Sequence, residues 1–461
     1  MTQAPPHAFH PSILREYDIR GVVGDTLHAA DAEAVGRAFG TVLGGTGKTV
    51  AVGYDGRASS PELTAAMTRG LASAGCTVKA IGLGPTPMLY YAAHVLGTDG
   101  GVMITGSHNP PEYNGIKMVR ADGPVYGDQI AEIGRIAAAG AFASGAGRVE
   151  DVPVFDDYVA RLAGDYRGGA LKVAWDPGNG AAGDAVTALV ARLPGTHVVI
   201  NGEIDGRFPN HHPDPTVEAN LAQLKQAVGD HGCDLGLAFD GDGDRVGAVD
   251  ARGRVVWADE ILAILTREVV REIPDATVIA DVKTSQIAFD EIAKAGARPM
   301  MWKTGHSLIK AKMAEIGSPL SGEMSGHIFF KHRFYGVDDG LYAGLRLMEA
   351  VSNQGGDLAA LKDALPTAHN TPEVRFDCPE DRKVSAVADI ARRLADQGAQ
   401  VVDIDGVRVT TPDGWWLVRA SNTQPALTAR VEAWTPEGLD RLRAEARDHL
   451  SAIGLTPPAD L

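Results

Sequence analysis

Short apolar runs that end in small, polar loops recur along this chain. Thr49 to Asp55 reads as a buried strand, Pro61 to Ala74 as a helix with proline at its start, and Thr77 to Leu83 as a second strand. That is the grammar of a βαβ unit. It returns where Leu171 to Asp176 ends at Pro177-Gly178-Asn179-Gly180 before a helix, and where Ala276 to Asp281 ends before Lys283-Thr284-Ser285 and another helical stretch. Three strand-loop-helix openings of similar composition predict three related, βαβ-rich α/β domains with mixed sheets, without a strict sequence repeat. From about Pro366 the pattern becomes α+β. Strands are expected at Glu373 to Phe376, Val401 to Thr410, Trp415 to Arg419 and Leu427 to Ala433, with a turn at Pro412-Asp413-Gly414 and helices at Arg382 to Gln397 and Gly438 to Ala452. A Gly- and Ala-rich tract, Ala137 to Gly147, reads as a loosely packed connection before Asp151. The expected domains are 1–150, 151–254, 255–366 and 367–461.

Two loops stand out against this background. The apolar run Gly101 to Ile104 leads into Thr105-Gly106-Ser107-His108-Asn109-Pro110, where Asn-Pro stops regular structure and leaves the Ser107 hydroxyl on an exposed bend at a strand end. Asp240-Gly241-Asp242-Gly243-Asp244-Arg245 lies between strand-like runs, Leu235 to Phe239 and Val246 to Val249. Three carboxylates at alternate positions can converge on one hard cation, and without a metal they would repel one another. An EF-hand loop is excluded, because Arg245 and Ala251 stand where it needs glycine and glutamate. Strand carboxyl ends are where α/β sheets place ligands, and Ser107 and the Asp240 loop are expected at such ends, in the first and second domains. In the last domain, Arg419 with Ser421, Asn422 and Thr423 offers the mixture of donors a phosphate dianion needs, and Arg430 would make a paired guanidinium site.

Length and charge narrow the classes. At 461 residues the chain is too long for one ordinary core. A net charge of −16 argues against nucleic acid or an anionic membrane as partner, and means that an anionic substrate needs its own local Arg and Lys. Cys76, Cys233 and Cys378 are far apart and in no CxxC pattern, so they are expected as buried thiols in a reducing compartment. No apolar run reaches membrane-spanning length and the start carries no leader pattern, so a cytoplasmic location is expected.

Four separated motifs carry a resemblance. Thr105 to Pro110 resembles the phosphoserine loop of the α-D-phosphohexomutase superfamily, Asp240 to Arg245 its magnesium loop, Gly322-Glu323-Met324-Ser325-Gly326-His327 its sugar loop, and Arg419 to Pro425 its phosphate loop. They occur in the family's order, after a Tyr17-Asp18-Ile19-Arg20-Gly21 segment that resembles its opening motif. Within the superfamily the chain looks most like the bacterial phosphomannomutase/phosphoglucomutase group. The resemblance implies four domains around a central cleft, Ser107 as phosphoserine, Mg²⁺ on Ser107, Asp240, Asp242 and Asp244, and a hexose 1,6-bisphosphate as activator and intermediate. Hexose phosphates are the implied partners. It further implies His108, Lys117 and Arg245 beside the reacting group. Tyr17, Arg20, Lys283, Thr304, Gly305, His306, Glu323, Ser325, His327, Arg419, Ser421, Asn422, Thr423 and Arg430 are the implied substrate contacts. Asp338-Asp339-Gly340 resembles another family segment and is expected to be a turn. The rivals are a phosphoglucosamine mutase, disfavoured by Met324, a sugar phosphatase that uses the same serine, and a non-catalytic sugar-phosphate binder.

Overall fold

The computed structural model describes residues 5–422, 425–459 and 461. Its first sheet has seven strands. Gly100–Ile104, Thr49–Tyr54, Thr77–Leu83 and Arg148–Asp151 run parallel, and the sheet continues past Gly100–Ile104 through antiparallel Tyr113–Arg120 and Ile19–Val22. In the second sheet Leu171–Asp176 lies between parallel Gly195–Val199 and Leu235–Phe239, followed by antiparallel Val246–Asp250 and Val255–Val256. The third repeats the arrangement, with Thr277–Asp281 between parallel Arg298–Trp302 and Leu320–Gly322 and then antiparallel Ile328–Phe330 and Val337–Asp338. Each chain segment thus leaves the parallel part of its sheet along one strand and turns back into an antiparallel neighbour. Ser107, Asp240 and Glu323 lie on those three equivalent turns.

Burial explains the run-like patterns. Leu235–Phe239 is buried at every position, as expected for a strand covered on both faces. Pro61 sits in the first turn of the helix Ser60–Ser73, where its missing N–H is no loss. One apolar cluster runs through the first three units, joining Met88 and Leu89 to Trp175, Phe239, Leu265, Phe330 and Leu341. The helix Gly340–Asn353 is buried over most of its length because it packs on strands of both the second and third sheets. The fourth unit is a six-stranded antiparallel sheet backed by helices Glu380–Asp396 and Pro436–Ala452, with its own core around Ile390, Trp416, Val431 and Leu442. All three cysteines are buried and free.

Two expectations change. The tract Ala137 to Gly147 begins inside the helix Asp128–Ala139, and its later part is docked rather than loose: Gly145 N–H and Gly147 N–H donate to the carbonyls of Ser73 and Ala72, each at 3.0 Å. Glycine serves here for close approach, since a Cβ on Gly147 would collide with the Cys76 carbonyl. The stretch Val401 to Thr410 is two strands, Val401–Val402 and Val407–Thr411, paired antiparallel about a bend at Asp405-Gly406. Apolar residues flank a turn this short on both sides, so the pattern alone reads as one strand.

Candidate active site

Ser107 lies early in the first of the three equivalent turns with a left-handed backbone (φ 49°) and is only 2 % exposed, so the expected bend is present but lies at the floor of a cleft rather than on open surface. Its Oγ donates to Asp240 Oδ2 at 2.9 Å and faces His108 Nδ1 at 3.2 Å. Burial, reinforced by Arg245 and Arg20, pushes the His108 ring well below its ordinary pKa, so it is neutral near pH 7. The three aspartates of the second turn are each fully buried. Lys117, on the strand that follows the serine turn, reaches Asp242 Oδ2 at 2.7 Å and Asp244 Oδ2 at 2.5 Å. Burial works against its ammonium, but Asp242, Asp244 and Asp240 outweigh this and hold it above the usual lysine range. Asp242 is likewise held below the carboxylate range, burial being overcome by Lys117 and by the Thr86 hydroxyl at 2.5 Å. Asp240, with burial and two neighbouring carboxylates against it, is pushed well up.

The residues on either side orient this floor. Arg20 bonds the Gly106 carbonyl at 3.2 Å, the Asn109 side chain and Asp18. Arg245 approaches Asp240 Oδ2 at 3.8 Å and donates through Nε to His327 Nε2 at 3.1 Å, while His327 Nδ1 faces Asp338 Oδ2 at 3.0 Å. His306 opens the helix His306–Ile316 and stacks on His327 with ring centroids 5.4 Å apart. Asp338 is no turn residue. It ends a strand, is fully buried, and accepts from Lys310 Nζ at 2.8 Å, whereas Asp339 caps the helix Gly340–Asn353 through the Tyr342 N–H. Two adjacent aspartates before glycine look like a turn because the features that bury them, Lys310 and His327, come from elsewhere in the chain.

The far end of the cleft belongs to the third and fourth units. Glu323 accepts from Gly305 N–H at 2.5 Å, and burial pushes its carboxyl up. Ser325 lines the same wall. Lys283 pairs with Glu373 at 2.9 Å, Arg419 with Asp405 at 3.0 Å, and Arg430 donates to the Lys283 carbonyl at 2.5 Å and touches Met324 Sδ. Tyr17 OH donates to the Thr304 carbonyl at 2.7 Å and meets Asn422, so one side chain joins the first unit to the third and fourth. Ser421 lines the cleft; Thr423 lies outside the described residues. The whole cleft measures about 1120 Å³.

Sequence reading did not single out Thr86, Lys310, Glu373 or Asp405, which follow no local pattern and meet the site only through folding. The metal expectation has a physical test here. Asp242 Oδ1 and Asp244 Oδ1 are buried without a hydrogen-bond partner, and Asp240, Asp242 and Asp244 present ligand atoms within 4.8 Å of one another. Oxygen donors this close together, with Lys117 on Asp242 and Asp244 and Arg245 only approaching Asp240, fit a hard divalent cation. A buried serine lies against a cluster that could hold a metal ion, in a cleft lined by Arg and Lys side chains suited to an anionic ligand.

Comparison with known proteins makes this specific. Residues 11–144, 156–253 and 257–369 match the phosphoglucomutase/phosphomannomutase α/β/α domains I, II and III, and residues 373–449 match the C-terminal domain of that family. The chain is 44% identical over 460 residues to a phosphomannomutase/phosphoglucomutase of Pseudomonas aeruginosa, covering 99% of each chain. It is 40% identical over 437 residues to a phosphoglucomutase of Neisseria meningitidis, covering 94% of this chain and 95% of that one. A crystal structure of a phosphoglucomutase/phosphomannomutase family protein from Burkholderia thailandensis superimposes with a TM-score of 0.91 at 42% identity, covering 98% of this chain and 99% of that one. The chain belongs to the phosphoglucomutase/phosphomannomutase family, a family of isomerases.

Proposed function

We propose that this protein interconverts the 1-phosphates and 6-phosphates of glucose and mannose, with Ser107 carrying the transferred phosphoryl group. The observation that carries the reading is the placement of the Ser107 hydroxyl 2.9 Å from Asp240, in a carboxylate cluster at one end of a cleft whose other end holds Arg419 and Arg430. Mg²⁺ would be held by Asp240, Asp242 and Asp244 together with the Ser107 phosphate, and when bound it would neutralise charge spread over the transferring group.

The remaining steps belong to this chain's own residues. Phosphoserine gives its phosphoryl group to the free hydroxyl of a hexose phosphate: the bond from phosphorus to Ser107 Oγ breaks, a bond to the sugar oxygen forms, and the proton of that hydroxyl passes by way of His108 to Ser107 Oγ. The product is a hexose 1,6-bisphosphate. It turns end for end, and Ser107 Oγ then attacks the other phosphate: a bond from phosphorus to Oγ forms, the bond from that phosphorus to the sugar oxygen breaks, and the serine proton ends on that oxygen. Two acceptors face the serine proton, Asp240 and His108. As Asp240 would be a metal ligand, the neutral His108 ring takes that proton. Lys117 and Arg245 hold positive charge beside the transferring group.

A cleft of about 1120 Å³ exceeds the roughly 300–1,000 Å³ usual for small-ligand pockets, which leaves room for the turn. Glu323 and Ser325 hold the 3- and 4-hydroxyls, which glucose and mannose share, so both epimers are substrates. Arg419, Ser421, Asn422 and Arg430 hold whichever phosphate is not reacting, with Lys283, Thr304, Gly305, His306, His327, Tyr17 and Arg20 completing the wall.

Phosphorus NMR with Mg²⁺, a trace of glucose 1,6-bisphosphate, and glucose, mannose or glucosamine 1-phosphate in separate tubes tests this. Conversion of both glucose and mannose esters to 6-phosphates is expected. Turnover of the glucosamine ester alone, or release of inorganic phosphate without isomer, would replace the reading with a phosphoglucosamine mutase or a phosphatase.

A further inference from the structure

The carbonyl oxygens of the serine turn converge on one side chain that does not face the cleft. Arg57 is 2 % exposed and spends all five of its N–H groups. Nη2 donates to the carbonyls of Ser107 at 2.7 Å and Asn109 at 2.6 Å, Nη1 to those of Pro110 at 2.6 Å and Tyr113 at 2.9 Å, and Nε to Asp55 Oδ2 at 3.2 Å. Asp55 balances the charge and accepts from Gly106 N–H at 3.1 Å and Ser60 Oγ at 2.5 Å. The turn is therefore gripped from both its donors and its acceptors. Gly106 belongs to the same arrangement, because a Cβ there would stand 2.5 Å from Arg57 Cζ. From the second unit, the Phe208 ring lies 5.1 Å over the guanidinium, and the backbone at Gly206 packs on Arg57 with no room for a side chain.

Ser107 itself is held at φ 49°, a conformation that a non-glycine residue keeps only where its surroundings impose it. We propose that Arg57 is a positioning residue for Ser107: its planar fork holds the turn from Ser107 to Tyr113 so that Oγ stays aimed at Asp240, and Phe208 closes the fork to water. The inference rests on the mutase reading for its kinetic consequences but not for its structural one. Lysine cannot replace this arginine, since an ammonium has three donors and no fork.

The test uses the full-length protein and three variants, Arg57→Lys, Arg57→Ala and Phe208→Leu. Hexose-phosphate contacts lie elsewhere, so Arg57→Lys is expected to lower kcat on the order of 100-fold with KM within about threefold of wild type. Amides of residues 105–113 should exchange faster while those of the third and fourth units do not change. Added guanidinium ion at low millimolar concentration should restore part of the kcat of Arg57→Ala, and Phe208→Leu should lose roughly threefold to tenfold in kcat. Unchanged kcat and unchanged exchange in Arg57→Lys would overturn the proposal. So would a general loss of protection across the first unit with no guanidinium rescue, because that describes a merely structural arginine. If the wild type shows no mutase turnover, the functional reading fails, and exchange at residues 105–113 still decides whether Arg57 orders the turn.

Discussion

The two ends of the cleft are built differently. At the serine end, the first two of the three equivalent turns meet beside one shared apolar cluster, and the groups that face one another are almost completely buried. At the other end, the fourth unit has its own core and meets the rest of the protein through one small apolar cluster, Val282 with Trp415 and Leu417, and through polar pairs: Arg408 with the carbonyls of Val282 and Thr284, Glu432 with Gln286 N–H, Asp405 with Thr304 N–H, and Asn422 with Tyr17. A site that transfers a phosphoryl group needs the first kind of construction, because misplacement of reacting atoms costs rate directly. Holding a phosphate in either of two orientations needs only charge and several donors, and polar contacts can be remade as a ligand enters and leaves. Under the proposed function, the contrast assigns the chemistry to the packed end and the holding of the substrate to the polar end.

Substitution at the packed end should therefore abolish turnover. Ser107→Ala is expected to lower kcat on the order of 10⁴-fold or more while circular dichroism and the unfolding midpoint change little, and near-normal turnover would remove the serine from the mechanism. Next in size is Lys117→Met, which keeps the volume and leaves Asp242 and Asp244 without their cation. Loss of one partner of a buried ion pair costs about 3–5 kcal/mol, so urea unfolding in EDTA should show a drop of that order, and excess Mg²⁺ should recover part of it. Equal stability of the two proteins in EDTA would mean that the carboxylates do not need compensation.

The two regions should also respond oppositely to pH. Burial raises Asp339, in the packed half, to about 7. A carboxyl raised in the folded state favours folding while it is protonated, so its contribution is full below about pH 4 and is lost as pH rises to about 7, at most about 1.4 kcal/mol per pH unit. Glu373, which ties the fourth unit to Lys283 of the third, is lowered to about 2: burial opposes its charge but Lys283 outweighs burial. Its contribution is full above its ordinary carboxylate pKa and is lost as pH falls toward 2. Urea midpoints measured from pH 4 to 8 should show a downward slope that Asp339→Asn flattens and Glu373→Gln does not; a slope indifferent to Asp339→Asn would contradict the assignment. The smallest effect is expected at the polar end. Arg419→Gln should raise KM about 10- to 100-fold, equally for glucose and mannose esters, with kcat within a few-fold, as the loss of a charge-assisted contact predicts. A kcat collapse with unchanged KM would place Arg419 in the chemistry instead.

Much of this contrast is legible in the sequence, and the exceptions have a common cause. Buried strands leave continuous apolar runs, so Leu235 to Phe239 and Thr277 to Asp281 identify themselves, and the loop that follows the first carries Asp240. Alternating aspartates are readable as a metal site because repulsion among them is a local fact. Arg57 and Asp338 are not readable in this way. What Arg57 does depends on carbonyls about fifty residues away, and Asp338 is buried only because Lys310 and His327 arrive beside it. Lys117 falls between the two: its nearness to the serine turn follows from the sequence, but its seat among the aspartates is set by packing of the first unit on the second.

The most direct measurement is a label chase. Protein carrying ³²P on Ser107, loaded from hexose 1,6-bisphosphate, is mixed in a single turnover with unlabelled glucose 1-phosphate and Mg²⁺. The label should leave the protein at the rate of turnover and appear first in hexose bisphosphate and then in hexose 6-phosphate. Label that stays on the protein through many turnovers, or leaves only as inorganic phosphate, would contradict Ser107 as the carrier.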